Sequence, residues 1–267
     1  MLIDAHTHLD RYLFKRFGED ITQILKQIEK YKILTISNSM DLTSYITNRR
    51  ISRKSKYIVP AFGIHPWNAY RYLAKTDLVQ KLIRESKIIG EVGLDHSYVK
   101  DKSRYPSQRK IFELFLSKTK DKIISLHTKG AERDVLDLLI TYENNRVIIH
   151  WYSGNLAILK EMTQEGYYFS ISPEIKFSDH IRKVVKKIPL DQILTETDNP
   201  GGPQSYIGNK GMPILVKDVV EEIAKVKEKS SIQIEEIVQE NFARLVESDP
   251  SIHEMLVQNL SADHANK

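Results

Sequence analysis

Short apolar runs rich in β-branched residues recur along the 267-residue chain, and amphipathic patterns separate most of them. Runs of this length and composition are typical of strands buried on both faces of a parallel sheet. Eight of them can be recognised, at 2–6, 33–38, 57–64, 87–94, 122–127, 146–150, 167–172 and 192–198.

Between the runs, apolar residues return every three or four positions, which is the period of a helix with one buried face. Ile21, Ile24 and Ile28 show this period after Asp20, a residue suited to capping a helix. The weakest helical pattern lies at 41–56, and two helices are predicted to close the chain, around 220–224 and 234–245.

The alternation of eight strands with helices predicts an α/β protein with a (β/α)8 TIM barrel. A doubly wound open sheet is the alternative that the same alternation allows. The length suits a single domain over 1–267, because barrels of this kind commonly fill such a length as one unit. Residues 249–267 are predicted to be a polar tail, either frayed or forming a loose extra helix.

Composition narrows the possible chemistry. The chain has no cysteine, which excludes disulfides, thiolate metal sites and a cysteine nucleophile, so any metal must be bound by His, Asp and Glu. No targeting segment and no apolar stretch of about 20 residues is present, so a cytoplasmic protein without a membrane partner is expected. The net charge of +5 suits a polyanionic partner but does not require one.

Histidines and acidic residues cluster at the C-terminal ends of the predicted strands, the face on which barrels of this type build their active sites. They are His6, His8, Glu91, His127, His150 and Asp198. Six nitrogen and oxygen donors at one mouth are enough for two divalent ions that share a carboxylate. Taken singly, each residue could instead cap a strand, pair with a lysine or start a turn.

Five motifs resemble the successive motifs of the TatD family of metal-dependent deoxyribonucleases, in the order of that family. They are AHTHLD at 5–10, GEVGLD at 90–95, LHTKGA at 126–131, HWYSG at 150–154 and ETD at 196–198. GIHPW at 63–67 and ENFARL at 240–245 resemble further segments, so the resemblance covers nearly the whole chain.

The resemblance implies that these six residues are the metal ligands and that Glu91 bridges two ions. Magnesium, manganese and zinc all suit such donors. Asp198 would bind one ion while orienting or deprotonating the nucleophilic water, so Asp198 and Glu91 are the predicted catalytic residues. Asp4 is expected to hold a ligand histidine in its tautomer, and Glu196 to position water or a further ion.

Substrate contacts are expected from basic and aromatic residues on the loops that follow the strands, since these groups bind phosphates and stack on bases. The candidates are His65, Lys129, Arg133, Trp151 and Tyr152. Many family members have an arginine where this chain has Lys129 and a Cys-Phe pair in place of Trp151 and Tyr152. The loop at 199–213 also departs from the commoner form, so substrate contacts carry over less well than metal ligands.

The resemblance implies hydrolysis of DNA phosphodiesters by a metal-activated hydroxide, with single-stranded DNA trimmed from its 3′ end and a monomer as the favoured state. A small-molecule amidohydrolase or lactonase with the same two metals is the main alternative, and it predicts a closed, less basic mouth. A metal-bearing protein that binds nucleic acid without cutting it is the third possibility.

Overall fold

Eight parallel strands form one sheet in which spatial order follows chain order. The computed structural model of the protein describes residues 1–18, 20–250, 252–254, 256 and 257, apart from the side chain of Ser205. The strands are β1 (Leu2–Thr7), β2 (Ile33–Ser37), β3 (Ile58–Phe62), β4 (Ile88–Gly93), β5 (Ile123–His127), β6 (Val147–His150), β7 (Tyr168–Ile171) and β8 (Ile193–Thr195).

The last strand lies beside the first, which makes the sheet a nearly closed barrel. The Thr195 hydroxyl donates to the carbonyl oxygen of Ile3, and the N–H of His8 donates to the carbonyl of Asn199 at 2.8 Å. Each pair of neighbouring strands is parallel. In the pair of β1 and β2, for example, Leu2 lies opposite Ile33. The predicted (β/α)8 barrel is therefore confirmed, and the doubly wound open sheet, whose strand order reverses, is excluded.

Helices connect the strands and cover the outside of the barrel. They are α1 (Thr22–Tyr31), α2 (Leu42–Ser52), α3 (Thr76–Glu85), α4 (Tyr105–Leu116), α5 (Glu132–Tyr142), α6 (Leu156–Gln164), α7 (Asp179–Lys187), α8 (Gln204–Ile207), α9 (Leu215–Lys227) and α10 (Ser231–Val246). The loops after β1, β3 and β7 carry short 3-10 helices at Leu9–Leu13, Lys15–Phe17, Pro66–Tyr72 and Pro173–Lys176.

The segment with the weakest helical pattern does form a helix, α2. Its first turn is fixed by Asp41, whose carboxylate accepts a hydrogen bond from the Ser44 N–H at 2.9 Å. Such a cap satisfies a backbone donor that has no partner within the helix. Asp20 acts similarly before α1, where it accepts from the N–H of Thr22 at 2.7 Å.

The main core lies between the barrel and its helices. Strands such as β4 are buried along their whole length, as expected for parallel strands covered on both faces. Phe62 contacts Tyr45 and Phe115, which brings α2 and α4 onto β3. This packing fixes the ends of the strands, where the polar residues of the site begin.

The predicted polar tail contains buried apolar residues in the portion that the structure describes. Residues 252–254, 256 and 257 are helical, and Ile252 and Leu256 are fully buried in the main core. Their burial means that this portion packs on the barrel. Residues 251, 255 and 258–267 of the predicted tail lie outside the described residues. Among the helices that the structure describes, none combines the length and the apolarity that a bilayer span requires.

Candidate metal centre

The six residues at the predicted strand ends meet at the C-terminal mouth of the barrel. His6 lies in β1, Glu91 in β4, His127 in β5 and His150 in β6. His8 follows β1 directly, and Asp198 lies three residues after the end of β8. All of these side chains are buried except that of Asp198, which is 17% exposed. Four strands and the two segments that follow β1 and β8 thus contribute to one compact donor cluster.

Glu91 occupies the middle of the cluster and separates it into two donor sets. Its Oε2 atom lies 3.5 Å from His6 Nε2 and 3.3 Å from His8 Nε2. Its Oε1 atom lies 2.8 Å from His127 Nδ1 and 3.7 Å from His150 Nε2. A carboxylate with one oxygen toward each set has the placement that a bridging ligand needs.

Asp198 completes the first donor set. Its Oδ1 atom is 3.3 Å from His8 Nε2 and 3.9 Å from His6 Nε2. The ligand atoms of these three residues all lie within 4.8 Å of one another, as do those of His65, Glu91 and His127, and those of His6, His150 and Glu196. Imidazole nitrogens and carboxylate oxygens at this spacing are a donor set for a divalent ion.

His6 provides a direct test of whether a metal fits. Its Nε2 atom is fully buried, points into the cluster and has no hydrogen-bond partner among the described residues. A buried polar atom without a partner is costly, and in native proteins it signals an ion, water or ligand. The residues present therefore fit a divalent metal.

The other nitrogen of each histidine ligand is held by an outer partner. His6 Nδ1 is hydrogen-bonded to the Ser125 hydroxyl at 2.8 Å, and His8 Nδ1–H donates to the carbonyl of Asn38 at 3.1 Å. His150 Nδ1 is hydrogen-bonded to Glu196 at 3.0 Å. Such contacts fix the ring orientation and direct the opposite nitrogen into the donor cluster.

Asp95 is a candidate functional residue that the sequence analysis did not single out. Its Oδ2 atom accepts from His127 Nε2–H at 2.9 Å and from the Trp67 indole N–H at 2.6 Å. It therefore orients the ring that presents Nδ1 to Glu91. A sequence signal existed: Asp95 lies four residues after Glu91, and such positions share a face in extended chain.

Electrostatics in the cluster depend on burial and on close pairing. Burial raises the pKa of Glu91, but the electrostatic interactions with His65 and His6 and the hydrogen bond from His127 outweigh it and hold the pKa well below its usual range. For Asp198, burial is likewise outweighed, chiefly by the hydrogen bond from His8, and the pKa is lowered. Both carboxylates are thus kept ionised, which is the form that binds a cation.

Glu196 differs from these two carboxylates because burial dominates and raises its pKa to about 8. It lies behind His150 and also accepts from the Ser170 hydroxyl. Burial lowers the pKa of His150 to about 4, which keeps its ring neutral. Glu196 therefore contacts the cluster from the inside of the barrel, where it orients the His150 ring.

Asp4 does not contact a histidine ring as predicted. Its carboxylate accepts from the N–H of Thr197 at 2.9 Å and from the Thr197 hydroxyl at 2.7 Å. Asp4 points toward the segment after β8, where Thr197 lies between Glu196 and Asp198. The buried backbone N–H of Thr197 needs a hydrogen-bond acceptor, and Asp4 supplies it. Its role is to hold the backbone that carries Asp198.

Close packing of the backbone places Glu91. A Cβ at Gly63 would lie 2.3 Å from the backbone nitrogen of Glu91. Gly93 has a φ of +139°, and a Cβ there would lie 2.1 Å from the carbonyl oxygen of His127. Both positions are restricted to glycine, since any larger residue would push β4 away from its neighbours.

The donor cluster forms the floor of a cleft of about 460 Å³. Of the predicted substrate contacts, Lys129 and Trp151 line this cleft, together with Arg11 and Arg16. Lys129 Nζ donates to the Ser153 hydroxyl at 2.9 Å and lies over the Trp151 ring. Burial lowers the pKa of Lys129, with the nearby charge of Glu196 opposing it.

His65 lines the same cleft but lies deeper than expected for a substrate contact. Its Nε2 atom is 3.4 Å from Glu91 Oε1 and 3.3 Å from His127 Nδ1. It therefore belongs to the second donor set as a further candidate ligand.

Two predicted substrate contacts do not face the cleft. Tyr152 is buried, donates to the carbonyl of Asn155 and packs on Phe169. Arg133 forms a two-pronged ion pair with Glu161 on the outer surface. Tyr152 turns inward because the chain reverses at Trp151, and Arg133 turns outward because it lies on the solvent face of α5.

The family model for the TatD related DNases matches residues 3–247 of the chain. The chain is 31% identical over 253 residues to the uncharacterized metal-dependent hydrolase MJ1582 of Methanocaldococcus jannaschii, covering 91% of this chain and 95% of that protein. It is 27% identical over 271 residues to deoxyribonuclease TATDN3 of Homo sapiens, covering 96% and 97% of the two chains.

Among solved structures, the fold is similar to that of YJJV, a TatD homolog from Escherichia coli K12. The TM-score is 0.82 at 21% identity, and the match covers 91% of this chain and 97% of that one. A TatD family hydrolase from Entamoeba histolytica gives a TM-score of 0.77 at 19% identity, with 91% and 97% coverage.

Proposed function

The chain belongs to the TatD related DNase family of metal-dependent hydrolases, and from that membership we propose that it hydrolyses phosphodiester bonds of DNA. We further propose two divalent ions, single strands as the substrate and trimming from the 3′ end. The direction of trimming rests on the family resemblance alone. The observation that carries the proposal is the Glu91 carboxylate, with one oxygen toward each donor set, at the floor of a cleft lined by cations.

His6, His8 and Asp198 would hold one ion, and His127, His150 and His65 are the donors available to the other, with Glu91 shared. Ions bound there would neutralise charge on the scissile phosphate and activate the attacking water.

Asp198 is the carboxylate of the cluster best placed to accept a proton. Its side chain is 17% exposed, whereas that of Glu91 is 3% exposed. Its lowered pKa keeps it ionised and therefore able to accept. A carboxylate within reach of the attacking water meets the geometric requirement for a general base.

The cations of the cleft favour a polyanionic substrate over a small neutral one. Arg11, Arg16 and Lys129 surround the approach to the donor cluster. Arginine can hold a phosphate with two parallel hydrogen bonds, and lysine binds it as a point charge. A small-molecule amidohydrolase predicts a closed, less basic mouth, and the three cations that line this cleft favour the nuclease over it.

The test is incubation of metal-stripped protein with end-labelled single-stranded DNA, with magnesium, manganese or zinc added in turn, beside the Asp198→Asn variant. We expect a metal-dependent ladder whose shortening end shows the direction. The variant should lose activity about 100-fold or more while retaining DNA binding. Asp179→Asn, an exposed change in the first turn of α7, is the matched control.

Two results would overturn the proposal. One is near-normal cleavage by Asp198→Asn. The other is absence of cleavage with every ion in protein shown to contain metal, which would direct the search to amides, esters and lactones. RNA of the same sequence in parallel reactions determines the sugar preference.

A further inference from the structure

Two series of aromatic rings run outward from the candidate metal ligands. The first begins at His150, whose ring centroid is 6.1 Å from that of Trp151. Trp151 lies 6.2 Å from Tyr206, and Tyr206 is stacked on Phe177 at 5.7 Å with an angle of 6° between the rings. Tyr206 and Phe177, here called the Tyr206 platform, form the outer end of this series.

The second series begins at His127, whose ring lies 4.5 Å from that of His65. His65 is 4.7 Å from Trp67, and Trp67 is 6.2 Å from Tyr98. Trp67 and Tyr98, here called the Trp67 platform, form the outer end.

The two platforms lie on opposite sides of the mouth. Trp67 and Tyr98 are on the loops after β3 and β4, whereas Phe177 and Tyr206 are on the loops after β7 and β8. In an eight-stranded barrel, strands four apart face each other across the axis, so β3 is opposite β7 and β4 is opposite β8. The donor cluster around Glu91 lies between them.

The side chains of both platforms are partly exposed to solvent. Phe177 is 50% exposed and Tyr98 is 66% exposed, and the two remaining rings are about 40% exposed. Each series contains an indole that a hydrogen bond holds in a fixed orientation: Trp67, which contacts Tyr98, and Trp151, which contacts Tyr206. The N–H of Trp67 donates to Asp95 at 2.6 Å, and that of Trp151 donates to Glu174. Rigid, exposed ring faces beside a basic cleft are suited to stacking on planar ligands.

We propose that the two platforms each stack one nucleobase, one on either side of the scissile phosphate. This inference rests on the proposed nuclease function and specifies its substrate. Arg11, Arg16 and Lys129 lie in the cleft between the platforms, where the intervening phosphates would pass. Bases in a duplex are paired and stacked on each other, so only an unpaired strand can present a face to each platform. The enzyme accordingly cleaves faster when a base is present on both sides of the bond, and it tolerates any base at each side.

The test uses a dinucleotide with a single phosphodiester bond and two analogues, each lacking one of the two bases. The variants are Phe177→Ala and Tyr98→Ala, which shorten one platform each and leave Trp67, Trp151 and the donor cluster unchanged. Tyr31→Ala, an exposed change at the end of α1 on the other face of the barrel, is the matched control.

We expect Phe177→Ala to lower kcat/KM for the intact dinucleotide about tenfold, mainly through KM. The same variant should change kcat/KM less than about twofold for the analogue that lacks the base stacked on its platform. Tyr98→Ala should give the same pattern with the other analogue. The pairing of variant and analogue also assigns the 5′ and 3′ sides.

Equal losses on the intact dinucleotide and on both analogues, or no loss on any of them, would refute the platforms while leaving the nuclease function intact. If wild-type protein containing metal cleaves neither the dinucleotide nor a long single strand with any of the three ions, the nuclease function itself fails, and the platform proposal fails with it.

Discussion

The backbone N–H of Asp198 donates to the carbonyl oxygen of His6 at 2.9 Å, and the side chains of the same two residues approach to 3.9 Å in the donor cluster. One contact closes the barrel and the other belongs to the candidate metal centre. The barrel therefore closes at the same place where β1 and the segment after β8 supply His6 and Asp198 to the donor cluster. Assembly of the site requires completion of the fold, and metal bound there stabilises the closed barrel by mass action.

Glu91→Gln tests the bridging role. The amide keeps the size of the side chain but replaces one oxygen with an NH2 group, which cannot bind a cation. We expect metal content to fall from two ions per chain to at most one, as measured by elemental analysis after dialysis. Glu85→Gln, an exposed change at the end of α3, should retain the full content. Two ions in Glu91→Gln would contradict a bridge at this residue.

Asp95→Asn tests the outer partner of His127. The change removes the charge that orients the ring but leaves all candidate ligands in place. We expect metal affinity to fall about 10- to 100-fold, as measured by competition with a chelating dye. Asp121→Asn, an exposed change before β5, serves as control. An unchanged affinity in Asp95→Asn would mean that the His127 ring is positioned by Glu91 and its own packing.

The donor cluster was predicted from sequence because its position follows from a simple regularity. Parallel strands end at one edge of the barrel, so polar residues that end apolar runs must meet there. The meeting of His6, Glu91 and His127 in one cluster can be predicted from the ends of their strands alone. The family motifs then indicate which of these histidines are candidate ligands and not structural residues.

The substrate contacts were predicted less well because loops lack such a regularity. Trp151 has a φ of +40°, in the left-handed region, and the chain reverses there. That reversal points Trp151 to the cleft and Tyr152 to the core. Arg133 was assigned from its proximity to Lys129 in sequence, but helix geometry turns it toward Glu161. Phe177 was not singled out, because an exposed phenylalanine after a predicted strand has no distinctive sequence pattern.

Gly63→Ala tests the close approach of β3 to β4. The added methyl group would lie 2.3 Å from backbone atoms of Glu91, so one strand must move. We expect a loss of about 1–3 kcal/mol in the free energy of unfolding, together with weaker metal binding, measured by denaturant titration and metal analysis. In the control Gly201→Ala, the nearest atom to the methyl group is 3.8 Å away, on Phe17, and stability should be unchanged. Equal stability of Gly63→Ala and wild type would show that the strands can separate without cost.

Tyr12→Phe tests the attachment of the loop that carries Tyr206. The buried Tyr12 hydroxyl donates to the carbonyl of Gly211 at 2.6 Å and joins the loop after β1 to the loop after β8. Its removal leaves a buried carbonyl with one partner fewer. We expect a cost of about 1 kcal/mol, seen as a fall in Tm of about 2–4 °C. Tyr31→Phe, on the surface, should not shift Tm, and an unshifted Tm in Tyr12→Phe would mean that water replaces the hydroxyl.

The placement of the two tryptophans gives the protein its own optical probe. The chain contains only Trp67 and Trp151, and each indole is in ring contact with a histidine of the donor cluster, His65 in one case and His150 in the other. The tryptophan fluorescence of the unlabelled protein therefore originates entirely at the mouth of the barrel. Emission intensity and wavelength should respond to metal loading and to an arriving strand, with no background from indoles elsewhere.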